Sequence, residues 1–228
     1  DVEGIYTADP HLIPQAKKLD EITYDEMLEL ASDGAQILHH RSVDLAKRYN
    51  VNLEVLSSFV RKPGTKVKEV TNKVEQTKIS GVTCDKNIAR IAVIGVPDEP
   101  GIAFRVFNPV SRAGVNVDVI IQSYGKDNTN DISFTVSQKD AEAARQALEQ
   151  IRDALGFERI AIDENIAKVS VVGAGMIASS GVATTMFEAL SAAGINIQMI
   201  TTSEIKISVL IEQTYADVAV QAIYGKFF

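Results

Sequence analysis

The sequence predicts an α+β protein built on two βαββαβ modules in tandem. Three observations carry that prediction: an internal repeat, the order of strand and helix periods inside each copy, and the glycines that punctuate both copies alike. The copies open with the β-rich runs Ala89-Arg90-Ile91-Ala92-Val93-Ile94-Gly95 and Ala167-Lys168-Val169-Ser170-Val171-Val172-Gly173. In the first, the turn Pro97-Asp98-Glu99-Pro100 leads to Gly101 and a helical pattern; in the second, the pattern starts at Gly181 after a turn two residues longer. Both helices end at Ala-Gly, Ala113-Gly114 and Ala193-Gly194, where glycine commonly stops a helix in a left-handed conformation. The next strands, Val115-Asn116-Val117-Asp118-Val119-Ile120-Ile121-Gln122 and Ile195-Asn196-Ile197-Gln198-Met199-Ile200-Thr201-Thr202, match Asn for Asn and Val for Ile. Matching positions lie about 80 residues apart, the size of a small domain.

Each copy then turns back as a hairpin. Strand patterns cover 131–137, beyond Gly125-Lys126-Asp127-Asn128, and 206–211, directly after Ser203-Glu204. An amphipathic helix follows over 140–155, with Ala141, Ala144, Leu148, Ile151 and Leu155 at steps of three or four, Asp140 placed to cap it and Gly156 to end it. A strand over 158–162 closes the first module. The second ends with a helix over 215–224 and lacks its closing strand, for which residues 78–84, just ahead of the first repeat, are the candidate. In the strand over 115–122, alternation places Val117, Val119 and Ile121 on a face to be covered by helices. Asn116, Asp118 and Gln122 fall on the other, polar face, open equally to solvation and to ligand or subunit contact. Ahead of the repeats, 24–31 and 35–49 read as helices, with Asp25 or Asp33-Gly34 as caps or breaks. Residues 53–57 read as a strand, and the polar stretch 61–76, with Pro63-Gly64, as a linker.

Of the 228 residues 46% are hydrophobic, enough for ordinary soluble cores, and a net charge of −7 removes the field that would steer the chain onto nucleic acid or anionic lipid. Apolar runs such as 115–121 are far shorter than the roughly 18 residues that cross a bilayer, and the acidic start lacks the layout of a signal peptide. The expectation is a cytoplasmic protein with neither nucleic acid nor membrane as partner. Cys84 is the single cysteine, which excludes an internal disulfide and a multi-thiolate metal site and predicts a small, buried or half-buried side chain. The opening Asp1-Val2-Glu3-Gly4-Ile5-Tyr6-Thr7-Ala8-Asp9-Pro10 has no Met, reads as a strand end running into a turn, and predicts a piece of a longer polypeptide.

Several motifs imitate chemistry and are read as structure. Gly173-Ala174-Gly175-Met176-Ile177-Ala178 follows a strand as a dinucleotide fingerprint does, with Glu204 imitating its ribose-binding acid; here, however, the next strand turns back as a hairpin where a Rossmann unit crosses over. His39 and His40 project about 100° apart on a helix and cannot grip one metal as an i, i+4 pair does. Cys84 has no obvious partner that would make it a nucleophile. Pro109 falls inside the first repeat's helix and predicts a kink.

Two βαββαβ units with Asp98-Glu99-Pro100-Gly101 between first strand and first helix resemble ACT modules, ferredoxin-like domains that bind amino acids as regulators. The flanks resemble aspartate kinases: the opening ten residues are similar to a nucleotide-contacting stretch of that family. Tyr24-Asp25-Glu26-Met27-Leu28-Glu29-Leu30-Ala31, Arg41-Ser42, Ser57-Ser58-Phe59, Pro63-Gly64-Thr65, Val172-Gly173-Ala174-Gly175-Met176 and the run 202–211 continue the likeness. Two departures are visible. His11 stands where the family has Arg, and His39-His40-Arg41-Ser42 where it has His-Pro-Arg-Ser.

The resemblance implies residues 1–62 as the C-terminal remnant of an α/β amino-acid-kinase domain, 63–78 as linker, and 79–163 and 164–228 as two ACT modules packed together. It implies the regulatory portion of an enzyme that phosphorylates L-aspartate with ATP and Mg²⁺ at the start of lysine, threonine and methionine synthesis. Lysine and/or threonine would be the feedback effectors, with a homodimer formed through the ACT modules and the kinase catalytic domain or subunit as partner. Asp1, Tyr6, Asp9 and Pro10 would be the remnant of the nucleotide contacts. No cofactor, metal or catalytic residue is expected in this chain. The family's phosphate-holding Lys-and-glycine segment does not occur in it, and phosphoryl transfer depends on positioning and on neutralising charge around the γ-phosphate. The chain alone is expected to be inactive. The alternative is an ACT-type dimerisation module with no effector of its own.

A zwitterionic effector needs donors for its carboxylate, acceptors for its ammonium and a reader for its side chain. Gly101 opens a helix whose free N–H groups suit a carboxylate, and Asp98 beside it suits an ammonium. The resemblance places effectors where the loop of one module meets the strand of another. The nominated residues are Asp98, Pro100, Gly101, Ile102, Ala103, Asn116, Asp118 and Gln122 in the first repeat, with Met176, Val182, Asn196, Gln198, Ile200 and Thr201 in the second. Gln198 replaces Asp118, and the longer second turn carries no acid. A site using Asp118 is expected to prefer a cationic side chain such as lysine, and one using Gln198 a neutral hydroxyl such as threonine.

Overall fold

A computed structural model of the chain describes every residue except 1, 36, 70–78, 126–127 and 177–178. Two units result: Asp1–Lys86 together with Ala167–Phe228, and Asn87–Ile166. In the first, Glu21–Thr23 (β1) runs into the helix Tyr24–Ser32 (α1) through a capping box. The Thr23 hydroxyl accepts from the Glu26 N–H (3.2 Å), and the Glu26 carboxylate accepts from the Thr23 N–H (3.1 Å). Tyr24, Met27 and Leu30, at steps of three, bury one side of α1 in a core with Ile5, Ile22, Val43 and Val67. The next helix, His40–Arg48 (α2), begins later than the expected residue 35. Gly34 (φ 103°) follows the end of α1, and the His39 ring Nδ1, accepting from the Arg41 N–H (3.2 Å), caps α2.

Leu53–Val55 (β2) pairs antiparallel with Thr65–Lys68 (β3), which pairs parallel with β1 in a three-stranded sheet. This corrects the reading of 61–76 as linker. Thr65-Lys66-Val67-Lys68 is short and polar, but its period of two turns Thr65 and Val67 inward and Lys66 outward. The remainder of the expected linker, residues 70–78, lies outside the described residues. Gly81–Asp85 (β4) follows.

The second unit runs Ile88–Pro97 (β5), Ile102–Arg112 (α3), Val117–Tyr124 (β6), Thr129–Ser137 (β7), Ala141–Glu149 (α4), Arg152–Leu155 (α5) and Arg159–Asp163 (β8). Its sheet order is β6-β7-β5-β8, with every neighbour antiparallel. Ile91, Val93, Ile132 and Phe134 of the sheet meet Val106, Val110 and Leu148 of the helices in one core, where Phe107 approaches Phe134 edge-on at 5.2 Å. The helix expected over 140–155 is interrupted at Gln150 and Ile151, and Asp140 makes no side-chain cap bond because it closes a 3-10 turn, Gln138–Asp140. Lys126 and Asp127 of the expected hairpin turn lie outside the described residues.

Along β6 the register pairs Val117 with Val136 and next Ile120 with Phe134, so β6 carries one extra residue. This is a bulge at Asp118 and Val119, where the Val119 N–H donates to Thr135 Oγ1 (3.1 Å). Beyond it the alternation reverses. Ile120 and Gln122, opposite the core residues Phe134 and Ile132, turn to the helix side, and Ile121, opposite Ser133, turns to the open face. The expected grouping of Ile121 with Val117, and of Gln122 with Asp118, is corrected accordingly.

The first unit resumes with Ile166–Val172 (β9), Val182–Ala192 (α6), Met199–Thr202 (β10), Lys206–Glu212 (β11) and Ala216–Phe227 (α7). Its second sheet has the order β10-β11-β9-β4. The fourth place, which the second repeat itself does not supply, is filled by β4, antiparallel to β9 with Gly81 opposite Val172 and Asp85 opposite Lys168. The strand thus falls at 81–85 within and just beyond the candidate 78–84; Lys78 lies outside the described residues. The break seen in β6 recurs, because Ile197 packs on the helix-side core and Ile200, opposite Val209 of that core, faces it too. Cys84 sits half-buried in β4, and burial pushes its thiol up to about 12. Alkylation of the native chain at pH 8 is therefore expected to be slower than that of an ordinary thiol by about 10³-fold and to recover on unfolding, as a thiol titration with and without denaturant would measure. Among the described residues no helix is long and apolar enough to cross a membrane.

Candidate functional site

Each module follows its first strand with a loop, a glycine in the left-handed conformation and a helix that no side chain caps: Gly101 (φ 86°) before α3 and Gly181 (φ 91°) before α6. No atom lies where a Cβ on either glycine would sit, so the backbone there is open to approach. Asp98 is exposed, and its carboxylate accepts from Asn130 Nδ2 (2.8 Å) while its N–H donates to the Asn128 carbonyl (3.1 Å). Pro100, Gly101 and Ala103 are exposed too. Ile102 is buried in the core beneath α3, as Met176 and Val182 are in the second module, so all three can offer a ligand little beyond their backbone.

A single module does not bring its nominated residues together. β7 begins at Thr129, opposite Pro97 at the loop, and reaches Val136, opposite Val117, at its far end. Asp98–Ala103 and the exposed Asn116 and Asp118 therefore stand at opposite ends of the sheet, roughly 20 Å apart at about 3.4 Å per residue. The second module repeats the separation: Gly173 donates to the Ile205 carbonyl (2.9 Å) at one end of β11, and Gln198 to that of Leu210 (2.8 Å) near the other. Asn196, Gln198 and Ile200 are exposed, and Thr201 is half-buried opposite Ser208.

Three acids that sequence reasoning passed over as a site converge on the second module. Glu26, Glu29 and Asp33 fall at steps of three and four along α1 and its C-terminal cap. Glu26, buried, accepts through Oε1 from Ser80 Oγ (2.6 Å) and the Ala174 N–H (2.9 Å), and through Oε2 from the Thr23 N–H (3.1 Å) and Thr23 Oγ1 (2.8 Å). Asp33, with no exposed surface, has Lys168 Nζ at 2.8 Å and Lys206 Nζ at 3.3 Å; Lys206 also reaches Glu29 at 2.8 Å. The angles at Asp33 are those of ion pairs rather than of aligned hydrogen bonds. Burial alone would lower the Lys206 pKa, but the carboxylates of Asp33 and Glu29 hold it above the ordinary lysine value. The visible signal was the i, i+3, i+7 acid stripe, which reads as a solvated helix face until Lys168 and Lys206 on the sheet are placed against it.

Residues 91–151 and 169–227 match the family model of the ACT domain, and residues 1–57 that of the amino acid kinase family. Across all of this chain, and 56% of the relative, the sequence is 48% identical to an aspartokinase of Pseudomonas aeruginosa. The solved regulatory subunit of aspartate kinase from Thermus thermophilus is 39% identical over 67% of this chain and 100% of its own, with a TM-score of 0.63. The chain belongs to the aspartate kinase family. Escherichia coli aspartokinase III, solved with lysine and aspartate in its T-state, matches 100% of this chain and 50% of its own at 26% identity and a TM-score of 0.78. This chain spans about half the length of the curated relatives it matches.

The residues resembling the nucleotide contacts of aspartate kinases lie ahead of β1. Tyr6 is half-buried in an isolated bridge with Lys18. The Asp9 carboxylate accepts from the His11 N–H (2.9 Å) and lies 3.0 Å from His11 Nδ1; Pro10 is exposed, and Asp1 lies outside the described residues. Among the described residues no three His, Cys, Asp or Glu side chains are grouped to hold a metal ion.

Proposed function

We propose that the chain is the regulatory portion of an aspartate kinase, an enzyme making 4-phospho-L-aspartate from L-aspartate and ATP, and that it binds lysine and/or threonine as feedback effectors in the cytoplasm. Phosphoryl transfer belongs to the complete kinase. The observation that carries the reading is the separation just described: an open helix start at one end of each module and, at the other, the start of an edge strand with a polar side chain, Asp118 at the bulge of β6 and Gln198 just before β10. The loop of one copy of the chain and the strand of a second copy together would offer donors for a carboxylate and an acceptor for a side chain. The same geometry supports a homodimer. β6 and β10 are edge strands, with Ile120 and Ile200 about half exposed and Tyr124 almost wholly so. Asp118 would read a cationic side chain and Gln198 a hydroxyl, as the E. coli relative solved with lysine encourages for the first.

The test is thermal unfolding with millimolar lysine, threonine, methionine, or lysine and threonine together. A rise in midpoint with lysine, abolished by Asp118→Ala while a threonine response persists, is the expected result. Unchanged lysine binding in Asp118→Ala removes the assignment of that residue, and no response to any amino acid leaves a dimerisation module.

A further inference from the structure

We infer that Glu26 is a positioning residue through which the loop after β9 in the second ACT module acts on helix α1 of the amino-acid-kinase region. The inference rests on the effector reading above.

The carboxylate stands between four donors, two on each oxygen, and two of them are backbone N–H groups, those of Thr23 and Ala174, which cannot reverse their role. Only an ionised carboxylate accepts from all four. A glutamine in its place must turn its NH₂ toward one of the two N–H groups and so loses either the helix cap or the loop. Residues 173–181 carry no acid of their own, so this loop is met at its start by a charge from another part of the chain. The two ends of α1 are held differently. Its C-terminal end is fixed to β9 and β11 by the buried pair of Asp33 with Lys168 and the half-buried pair of Glu29 with Lys206, whereas its first turn depends on the oxygens that also hold Ser80 and Ala174. A ligand that shifts or tightens Ala174 thereby tightens or loosens the capping box. β1, which ends at Thr23, carries the change into the sheet β1-β3-β2.

The experiment is residue-level amide hydrogen exchange on this chain, alongside its thermal midpoint, with and without millimolar L-lysine or L-threonine. Whichever amino acid raises the midpoint is expected to change exchange at Thr23 and Glu26 by about threefold or more. In Glu26→Gln the midpoint should still respond to that amino acid while the change in the first turn of α1 disappears, and Glu26→Asp, which keeps the charge, should restore part of it. A merely structural Glu26 would lower the midpoint and leave the ligand-dependent change in place. Ser80→Ala removes one donor to the same oxygen and leaves the cap intact, so it serves where the glutamine variant does not fold; it should shrink the change, and an unshrunk change counts against the inference. A midpoint that rises with no change in α1 of the unmodified chain overturns the inference and spares the effector reading. A midpoint that neither amino acid moves overturns both.

Discussion

Asp33→Ala is expected to lower the unfolding free energy by about 3–5 kcal/mol, the usual cost of breaking a buried ion pair from one side. Asp33 has no exposed surface and Lys168 only 3%, so the lysine that loses this carboxylate cannot readily exchange it for water. Lys206 keeps Glu29, which limits the loss. Denaturant unfolding of the variant checks the size. Exchanging Asp33 for leucine and Lys168 for methionine together is expected to recover much of the loss, because the desolvation cost then leaves with the charges. The pH dependence has a definite sign. Lys206 has a raised pKa in the folded chain, so its contribution is fully present below the ordinary lysine value and is lost as pH rises through the raised one. The Asp33→Ala penalty should shrink in that alkaline window. A variant within about 0.5 kcal/mol of the unmodified chain, the range of ordinary surface changes, would mean that the buried pairs contribute nothing.

Gly34→Ala is the second large effect, about 2–5 kcal/mol when the strain of an unfavourable backbone is added to overpacking. Gly34 has φ 103°, and a Cβ built on it falls 2.4 Å from the carbonyl oxygen of Cys84 and 3.0 Å from its carbonyl carbon. Both obstacles are backbone, in a strand paired with β9, so neither can step aside as a flexible side chain would. The same change at Gly101 meets nothing within 4 Å and is expected to cost only the left-handed conformation, about 1–2 kcal/mol. Comparing the two midpoints isolates the steric part, and equal losses would show that Gly34 is needed for its backbone angle alone.

The modules were legible because the repeat carries its own register: Gly114 and Gly194 end their helices in the left-handed conformation, and the strands that follow each place an Asn, Asn116 and Asn196, two residues on. The missing fourth strand of the second repeat was legible as an absence, and the short apolar run ahead of the first repeat was near enough to the right composition to be its candidate. The bulge in β6, and the matching break of alternation ahead of β10, were not legible. Val-Asp-Val-Ile-Ile-Gln reads as simple alternation until the doublet Ile120-Ile121 is taken as a change of parity, as Met199-Ile200 is in the second copy. The acid stripe on α1 escaped for a different reason. Periodicity places Glu26, Glu29 and Asp33 on one face, but what lies against that face is some 140 residues away and belongs to long-range pairing. The nominated site residues were found as types, yet nothing in their spacing showed that each module holds them at opposite ends of its sheet.

The borrowed strand β4 bears on how the polypeptide becomes a folded protein. Residues 87–166 are contiguous and contain all four strands of their sheet, so they can complete themselves as soon as they leave the ribosome. β4 is synthesised before them and must wait, with one edge unsatisfied, until β9 emerges on the far side of that finished module. Asp85 and Lys168 then face each other across the two strands, so the chain enters and leaves the inserted module at neighbouring points. Synthesis therefore imposes a sequence of maturation: the first regulatory module closes early, and the second closes only after β9 has followed it, in the same step that seats Lys168 and Lys206 against helix α1.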